Sequence, residues 1–371
     1  MLDLDRLLGL AVEQRASDLH LKAGARPHLR IDGVLVESQL DVLEPADTVE
    51  AARLMLGDAA ARLSEGVEVD SVHDTGTGRF RVSAFRQRGR VGLVLRRVVP
   101  GVPSIDALGL PPAAAELVAA RSGLVLVSGL AGSGRTSTVA AMVDELNATR
   151  ACHVVTIEQP IEVLHADKRA IVDQREVGVD TASTAAALLA AAHQDPDVIV
   201  VGRLPDPETT LAALESADAG RLVLAVAQAV GAVDAVMRLV DGFSPAQRAP
   251  VRSLMSRTLR GVLCQRLVPR AGGRGRVPAV EVLIVNGPAA EAIADSDGAA
   301  RLAALVADGE FYGMQNFDQS LAALYRWGLV AREDALAHAT YEPGLAVMLD
   351  EADRARAVSP PPASVAGVGA V

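Results

Sequence analysis

The stretch of this sequence best suited to chemistry is Gly129-Leu130-Ala131-Gly132-Ser133-Gly134-Arg135-Thr136, with Ser137 directly after it. It follows the P-loop pattern G-x-x-x-x-G-K-[ST], and only the lysine differs. Such a loop binds phosphate because consecutive backbone N–H groups point inward and the helix that follows adds positive potential at its N-terminus. Its glycines let the backbone curl closely around an anion. Thr136 stands where a hydroxyl would ligand the Mg²⁺ of a bound nucleotide. Arg135 takes the lysine's place. It keeps the charge, but a guanidinium is planar and larger than an ammonium, so it need not fit the same space. The only lysines, Lys22 and Lys168, lie elsewhere. The backbone cradle predicts a nucleotide with Mg²⁺, and the altered cation leaves the strength of that binding open. The plainer alternative is a glycine-rich turn with no ligand.

A phosphate loop needs a strand before it and a helix after it, and the flanking residues supply both. Leu124 to Val127 is a short apolar run, and Thr136 to Leu146 has a helical pattern. Further apolar runs at His153 to Ile157, Val198 to Val201 and Leu222 to Val226 alternate with Ala-rich helical segments. This arrangement predicts a parallel sheet in a doubly wound α/β domain, with Val280 to Val285 as its last strand. Upstream the pattern differs. Leu4 to Arg15 and Ala46 to Leu63 have helical spacing. Asp18 to Leu21, His28 to Val36 with a turn at Asp32-Gly33, and Arg79 to Val98 with a turn at Arg88-Gly89-Arg90 are strand-like. They predict a small α+β domain. The expected division is 1–100 for this domain, 101–112 for a proline-punctuated linker, 113–286 for the α/β domain, 287–350 for C-terminal helices and 351–371 for a disordered tail.

Composition narrows the function classes. The chain has 371 residues, half of them hydrophobic but only 2% aromatic, so its core must be built mainly from Ala, Val and Leu. Few aromatics and a formal net charge of -10 argue against a nucleic-acid role, which needs stacking platforms and a basic surface. No apolar run reaches the length of a membrane span, and the acidic start lacks a signal peptide's basic region. The expectation is a cytoplasmic protein without direct membrane insertion. Cys152 and Cys264 suggest no disulfide framework, and the histidines lack the spacing of a metal cluster.

Several motifs in order resemble the type IV pilus retraction ATPases, the PilT-like branch of the type II/IV secretion ATPases. Ala16 to Leu21, Arg30 to Gly33 and Arg79 to Phe85 resemble the family's N-terminal segments. Thr156 to Glu162 resembles its acidic box. Val172 to Gly178, Asp195 to Gly202 and Gly313 to Asp318 follow in family order. The resemblance implies a PAS-like N-terminal domain, a RecA-like P-loop domain, C-terminal helices and a hexameric ring of the chain with itself. In that family, ATP between ring subunits drives removal of pilin subunits from the pilus base.

The sequence departs from that family where the chemistry lies. Gln159 stands in place of an aspartate in the acidic box. Arg203 follows Gly202 where the family carries its catalytic glutamate, and an arginine cannot accept a proton. Arg221 and Gln228 stand where two histidines are usual. Glu158, Glu162 and Asp197 are kept; Glu158 could bind Mg²⁺ through water, and a structural salt bridge is an equal alternative for it. The resemblance also implies that Arg79, Arg81, Arg96 and Arg97 could face the nucleotide of a neighbouring subunit in trans. A solvated basic face is the plainer reading of them. The expected function is a ring subunit that binds ATP but hydrolyses it weakly or not at all. Its expected partners are an intact paralogous retraction ATPase and the pilus inner-membrane platform protein, which would bring it to the inner face of the cell membrane. An active retraction motor and a scaffold without nucleotide are the alternatives.

Overall fold

The computed structural model describes residues 3–76, 78–98 and 101–358, and the chain divides into two units, Met1–Gly101 and Val102–Val371. The first unit contains α1 (Leu4–Glu13), β1 (Asp18–Lys22), β2 (His28–Ile31), β3 (Val34–Glu37), α2 (Pro45–Leu56), β4 (Val69–Thr75), β5 (Gly78–Gln87) and β6 (Arg90–Val98). The strands form one antiparallel sheet in the order β3-β2-β1-β6-β5-β4. Alternation along β1, β5 and β6 turns Leu19, Leu21, Phe80, Val82, Leu93 and Leu95 to one face, where they form a core with the apolar sides of α1 and α2. The two expected turns are left-handed in the manner of tight hairpins, at Asp32-Gly33 and Arg88-Gly89.

One sequence expectation changes in this unit, and one strand has no counterpart among the expectations. The helix expected over Ala46 to Leu63 stops at Leu56, because Gly57 adopts a positive φ of 54°, and continues as 3-10 turns over Gly57–Glu65. β4 has no simple sequence signal, since it is an edge strand with polar residues on both faces.

The second unit runs α3 (Ala113–Val118), β7 (Gly123–Gly129), α4 (Arg135–Thr149), β8 (His153–Glu158), β9 (Ile171–Glu176), α5 (Thr184–Ala191), β10 (Val198–Val201), α6 (Pro207–Asp218) and β11 (Leu222–Ala227). It continues with α7 (Ala232–Asp241), α8 (Pro245–Thr258), β12 (Leu259–Pro269), β13 (Arg276–Ile284), α9 (Gly287–Ala294), α10 (Ala299–Asp308), α11 (Phe317–Arg326), α12 (Arg332–Ala337) and α13 (Glu342–Val358). The sheet order is β13-β12-β7-β11-β10-β8-β9, parallel throughout except for the edge pair of β12 and β13. Both faces of this sheet are buried, which is why β7, β10 and β11 read as unbroken apolar runs. Its two cores consist mainly of Ala, Val and Leu.

The expected linker is not free of the domain that follows it. Ile105 and Leu110, set between the prolines, are buried in the second unit's core, because apolar side chains gain more there than in solvent. Pro100, the expected boundary, lies outside the described residues. The expected disordered tail begins as structure: α13 extends through residues 351–358, and the rest of that segment also lies outside the described residues.

Candidate functional site

Parallel strands place their C-terminal ends on one edge, and the loops that leave them line a common crevice. Here β7, β11, β10 and β8 lie side by side. The phosphate loop leaves β7, Gln228 follows β11, Gly202 and Arg203 follow β10, and Glu158 ends β8 with Gln159 next. The fold therefore gathers most of the residues selected from sequence. It separates two others. Asp197 precedes β10 at the opposite edge, where its Oδ2 accepts from the His153 N–H at 2.9 Å and ties β8 to β10. Arg221 precedes β11 at that same far edge, where its Nη2 donates to the Ala192 carbonyl at 3.0 Å. Arg221 and Gln228 thus do not share one strand end, because the six residues of β11 stand between them.

The phosphate loop is shaped by its glycines. Gly129 has φ 146°, and a Cβ there would sit 2.3 Å from Ser133 Oγ and 2.6 Å from the Gln265 carbonyl oxygen. Gly134, at φ 89°, caps the N-terminus of α4, and a Cβ there would lie 3.0 Å from Gln265 Nε2. Leu130, Ala131 and Gly132 form the exposed tip, Ser133 is buried, and Thr136 and Ser137 are exposed on the first turn of α4. Ser133 Oγ is buried with no hydrogen-bond partner among the described residues. A cradle that a Cβ would fill, an orphaned hydroxyl and the N-terminus of a 15-residue helix all suit a phosphate group. Thr136 is the residue there that would offer a hydroxyl to Mg²⁺.

Sequence reasoning missed the residue that holds this loop. Gln265 on β12 is buried; its Nε2 donates to the Ser133 carbonyl at 2.8 Å, and its Oε1 accepts from Thr138 Oγ1 at 2.9 Å. One side chain therefore spans the loop and the first turns of α4. The only trace in the sequence is an amide beside Arg266 in a stretch that is apolar apart from these two, Val262 to Val268, and nothing local says what it meets.

Arg135 is turned toward the end of β11, where its Nη1 donates to the Ala227 carbonyl at 2.8 Å. Its guanidinium pKa is lowered, first by burial; nearby Cys264 opposes that shift and Arg203 adds to it. Glu158 Oε1 accepts from Thr156 Oγ1 at 2.7 Å and from Gln174 Nε2 at 3.1 Å. Burial raises its carboxyl pKa, and those two hydrogen bonds oppose the shift. Gln174 also binds the Val163 carbonyl and the His165 N–H, so β9 holds the segment after Pro160 in place. Thr136, Glu158 and Glu162 line one small cavity of about 80 Å³, room for several waters. Arg203 is exposed and lines a second, larger cleft of about 710 Å³ with Arg135, Gln159, Gln228 and Arg238.

The family model for the type II/IV secretion system protein matches residues 2–308. The chain belongs to the type II/IV secretion system protein family. Within it the chain lies in the PilT-like branch. It is 38% identical over 336 residues to the type IV pilus retraction ATPase PilT of Pseudomonas aeruginosa, covering 90% of this chain and 97% of that one. It is 36% identical over 350 residues to the type IV pilus ATPase PilU of the same organism, covering 94% and 91%. A solved structure of the pilus retraction motor PilT with bound ADP superposes with a TM-score of 0.83 at 39% identity, covering 94% of this chain and 100% of that one. The PAS-like and RecA-like architecture with C-terminal helices is that of this branch. No helix among the described residues of the PilT-like chain is long and apolar enough to cross a membrane.

The C-terminal helices of this PilT-like chain are tied to the cleft. Arg266 on β12 donates from Nη2 to the Val230 carbonyl at 3.1 Å and from Nη1 to the His338 carbonyl at 2.9 Å. Its guanidinium lies 3.8 Å from the centre of the Phe317 ring. Glu281 on β13 accepts from the Ala232 N–H that opens α7. The loop after β11 is thus anchored to α11 and α12, and Phe317 belongs to the Gly313 to Asp318 segment selected by resemblance.

The N-terminal arginines divide between two faces. Arg81 lies directly opposite Arg96, and Arg79 is two residues along on the same face. Arg97 lies opposite Phe80 and so belongs to the other face, since neighbours along a strand alternate. Arg96 Nε donates to Asp18 Oδ1 at 2.8 Å, and Arg79 lies 3.5 Å from Asp74.

Proposed function

We propose that this PilT-like chain is a ring subunit of a type IV pilus machine that binds ATP with Mg²⁺ but hydrolyses it weakly or not at all. It would act in the assembly or regulation of pilus retraction, and hence in twitching motility. Binding is supported by the glycine-shaped loop and its buried support, Gln265. Weak hydrolysis rests on one observation: the residue that leaves β10 into the cleft is Arg203, a cation that cannot take a proton from water. When bound, MgATP supplies the phosphoanhydride bond and the metal charge. The chain's own part is then to hold the phosphates on backbone N–H groups and to orient the surroundings through Gln159, Arg135 and Arg203.

The test is steady-state phosphate release by the purified protein with Mg²⁺. Turnover should be negligible. The triple reversion Arg135→Lys, Gln159→Asp and Arg203→Glu should raise it by about 10²-fold or more, the typical worth of a general base. Turnover like that of an intact relative, abolished by Thr136→Ala, would sink the reading.

Glu158 favours the second reading, an active motor. Burial raises its carboxyl pKa, and it lines the same cavity as Thr136, so it could take the missing base's role. Glu158→Gln should then abolish a measurable turnover.

The ring reading also gives Arg79, Arg81 and Arg96 a task, since they share one face of the N-terminal sheet. In a mixed ring they would offer positive charge to the nucleotide of an intact retraction ATPase. Co-expression and affinity purification should recover both chains, and Arg81→Ala should lower the partner's turnover while leaving the complex intact. If no mixed complex is recovered, these arginines serve this chain alone.

A further inference from the structure

Most arginines of the second unit that line no cleft have an anionic or carbonyl partner that explains them. Arg257 pairs with Asp218 and Arg332 with Asp350 and Asp353, while Arg260 donates to the Ser122 carbonyl. The 710 Å³ cleft at the ends of β10 and β11 is different. Its lining includes Arg135, Arg203 and Arg238, against one carboxylate, Asp206. Asp206 is already used, since its Oδ1 accepts from the Thr209 N–H at 2.8 Å and caps α6. Arg238 is paired with Asp234 at 2.8 Å.

That leaves two cations facing the cleft. Arg135 has a neutral carbonyl as its hydrogen-bond partner, and Arg203 has no hydrogen bond or ion pair among the described residues. Their charges repel each other: burial is the main cause of the lowered Arg135 pKa, Arg203 adds to it, and nearby Cys264 and Glu162 oppose it. Two guanidinium groups aimed into one polar cleft are unfavourable when empty and favourable around an anion, because each presents several N–H donors in a planar fork. Gln159, Gln228 and Thr210 add neutral hydrogen-bonding groups to the same walls. The phosphate loop adjoins this space, since Arg135 opens α4 directly after Gly134.

We propose that this cleft is a phosphoryl-anion site in which Arg135 and Arg203 share one phosphoryl group. This rests on the nucleotide reading when the group is the terminal phosphate of a nucleoside triphosphate, and it stands without that reading when the group is free phosphate. In the first case Arg203 is a specificity-determining residue. It makes the chain prefer a triphosphate to a diphosphate and hold it uncleaved, so the substitution that removes the base adds a clamp.

Calorimetric titration of the full chain with ATP, ADP and inorganic phosphate, repeated on Arg203→Ala and Arg203→Glu, tests this. The triphosphate source predicts ATP binding tighter than ADP by about tenfold or more, the worth of a charge-assisted hydrogen bond. Arg203→Ala should then collapse most of that preference, and Arg203→Glu should reverse it. The free-phosphate source predicts that phosphate binds alone, that ATP and ADP bind alike or not at all, and that Arg203→Ala removes the phosphate binding. If neither nucleotide binds while phosphate binding depends on Arg203, the nucleotide reading fails and the site stands. If ATP and ADP bind but Arg203→Ala changes no affinity, the site fails and the nucleotide reading stands. Absence of binding by all three overturns both. Arg203 is exposed, so both variants should keep the wild-type circular dichroism spectrum.

Discussion

The two walls of the cleft are built in opposite ways. On the β7 side, the phosphate loop is backbone held by packing: Gly129 has no room for a Cβ, Ser133 is buried, and Gln265 bonds both the loop and α4 from inside the sheet. On the β8, β10 and β11 side, the wall is made by the side chains of Gln159, Arg203 and Gln228, all exposed residues at strand ends. A change on the first wall disturbs the core. A change on the second alters charge and hydrogen bonding while the fold stays as it is. A chain can therefore keep a phosphate cradle and carry a different catalytic set. The cradle is a consequence of folding, and the side chains opposite it are not.

The substitution best able to break this contrast is Gly129→Ala. A Cβ would meet the Gln265 carbonyl and Ser133 Oγ at a φ that side chains avoid, so the expected loss is about 3 kcal/mol or more in urea unfolding, with loss of nucleotide binding. A tolerated Gly129→Ala would mean that the loop is not held by its surroundings. Gln265→Leu should follow, at about 2–4 kcal/mol, because it leaves the Ser133 carbonyl and the Thr138 hydroxyl buried without their partner.

Cys264, the neighbour of Gln265 on β12, reports on the same buried support. Burial pushes its thiol from 9.0 up to about 11. The unfolded chain therefore loses this proton first, and stability falls as pH rises from about 9 to about 11, by about 2–3 kcal/mol at most. Comparing the pH dependence of unfolding in wild type and Cys264→Ala isolates this contribution, and identical curves would show the thiol to be solvated. The smallest effect belongs to the other wall. Arg203→Ala should change stability by no more than about 0.5 kcal/mol, as expected for an exposed side chain with no hydrogen-bond or ion-pair partner among the described residues. A larger loss would mean that Arg203 supports the fold and would blur the distinction between the walls.

Much of this was legible beforehand. The phosphate loop, the strands β7, β8, β10 and β11, and the convergence of Glu158, Gln159 and Arg203 follow from short apolar runs and from loops that leave their C-terminal ends. β9 and β12 were harder to see. β9 is an edge strand with polar residues along it, and β12 follows a helix directly, with Leu259 next after Thr258. Arg97 faces away from Arg79, Arg81 and Arg96, because adjacent strand residues alternate between faces.

The sequence by itself determined the family-ordered motifs, the glycine positions of the loop and the identities of the residues that replace its usual cation and base. These are local properties of residue type and spacing. Tertiary structure alone decided which residues meet. It brought Gln265 under a loop that ends more than a hundred residues earlier, turned Arg135 to Ala227 across β11, and joined Arg266 to Val230, Phe317 and His338. It also sent Asp197 and Arg221 to the far edge of the sheet. The reason is physical: strand order and register set distances between residues remote in the chain, and both come from burying two faces of one sheet at once.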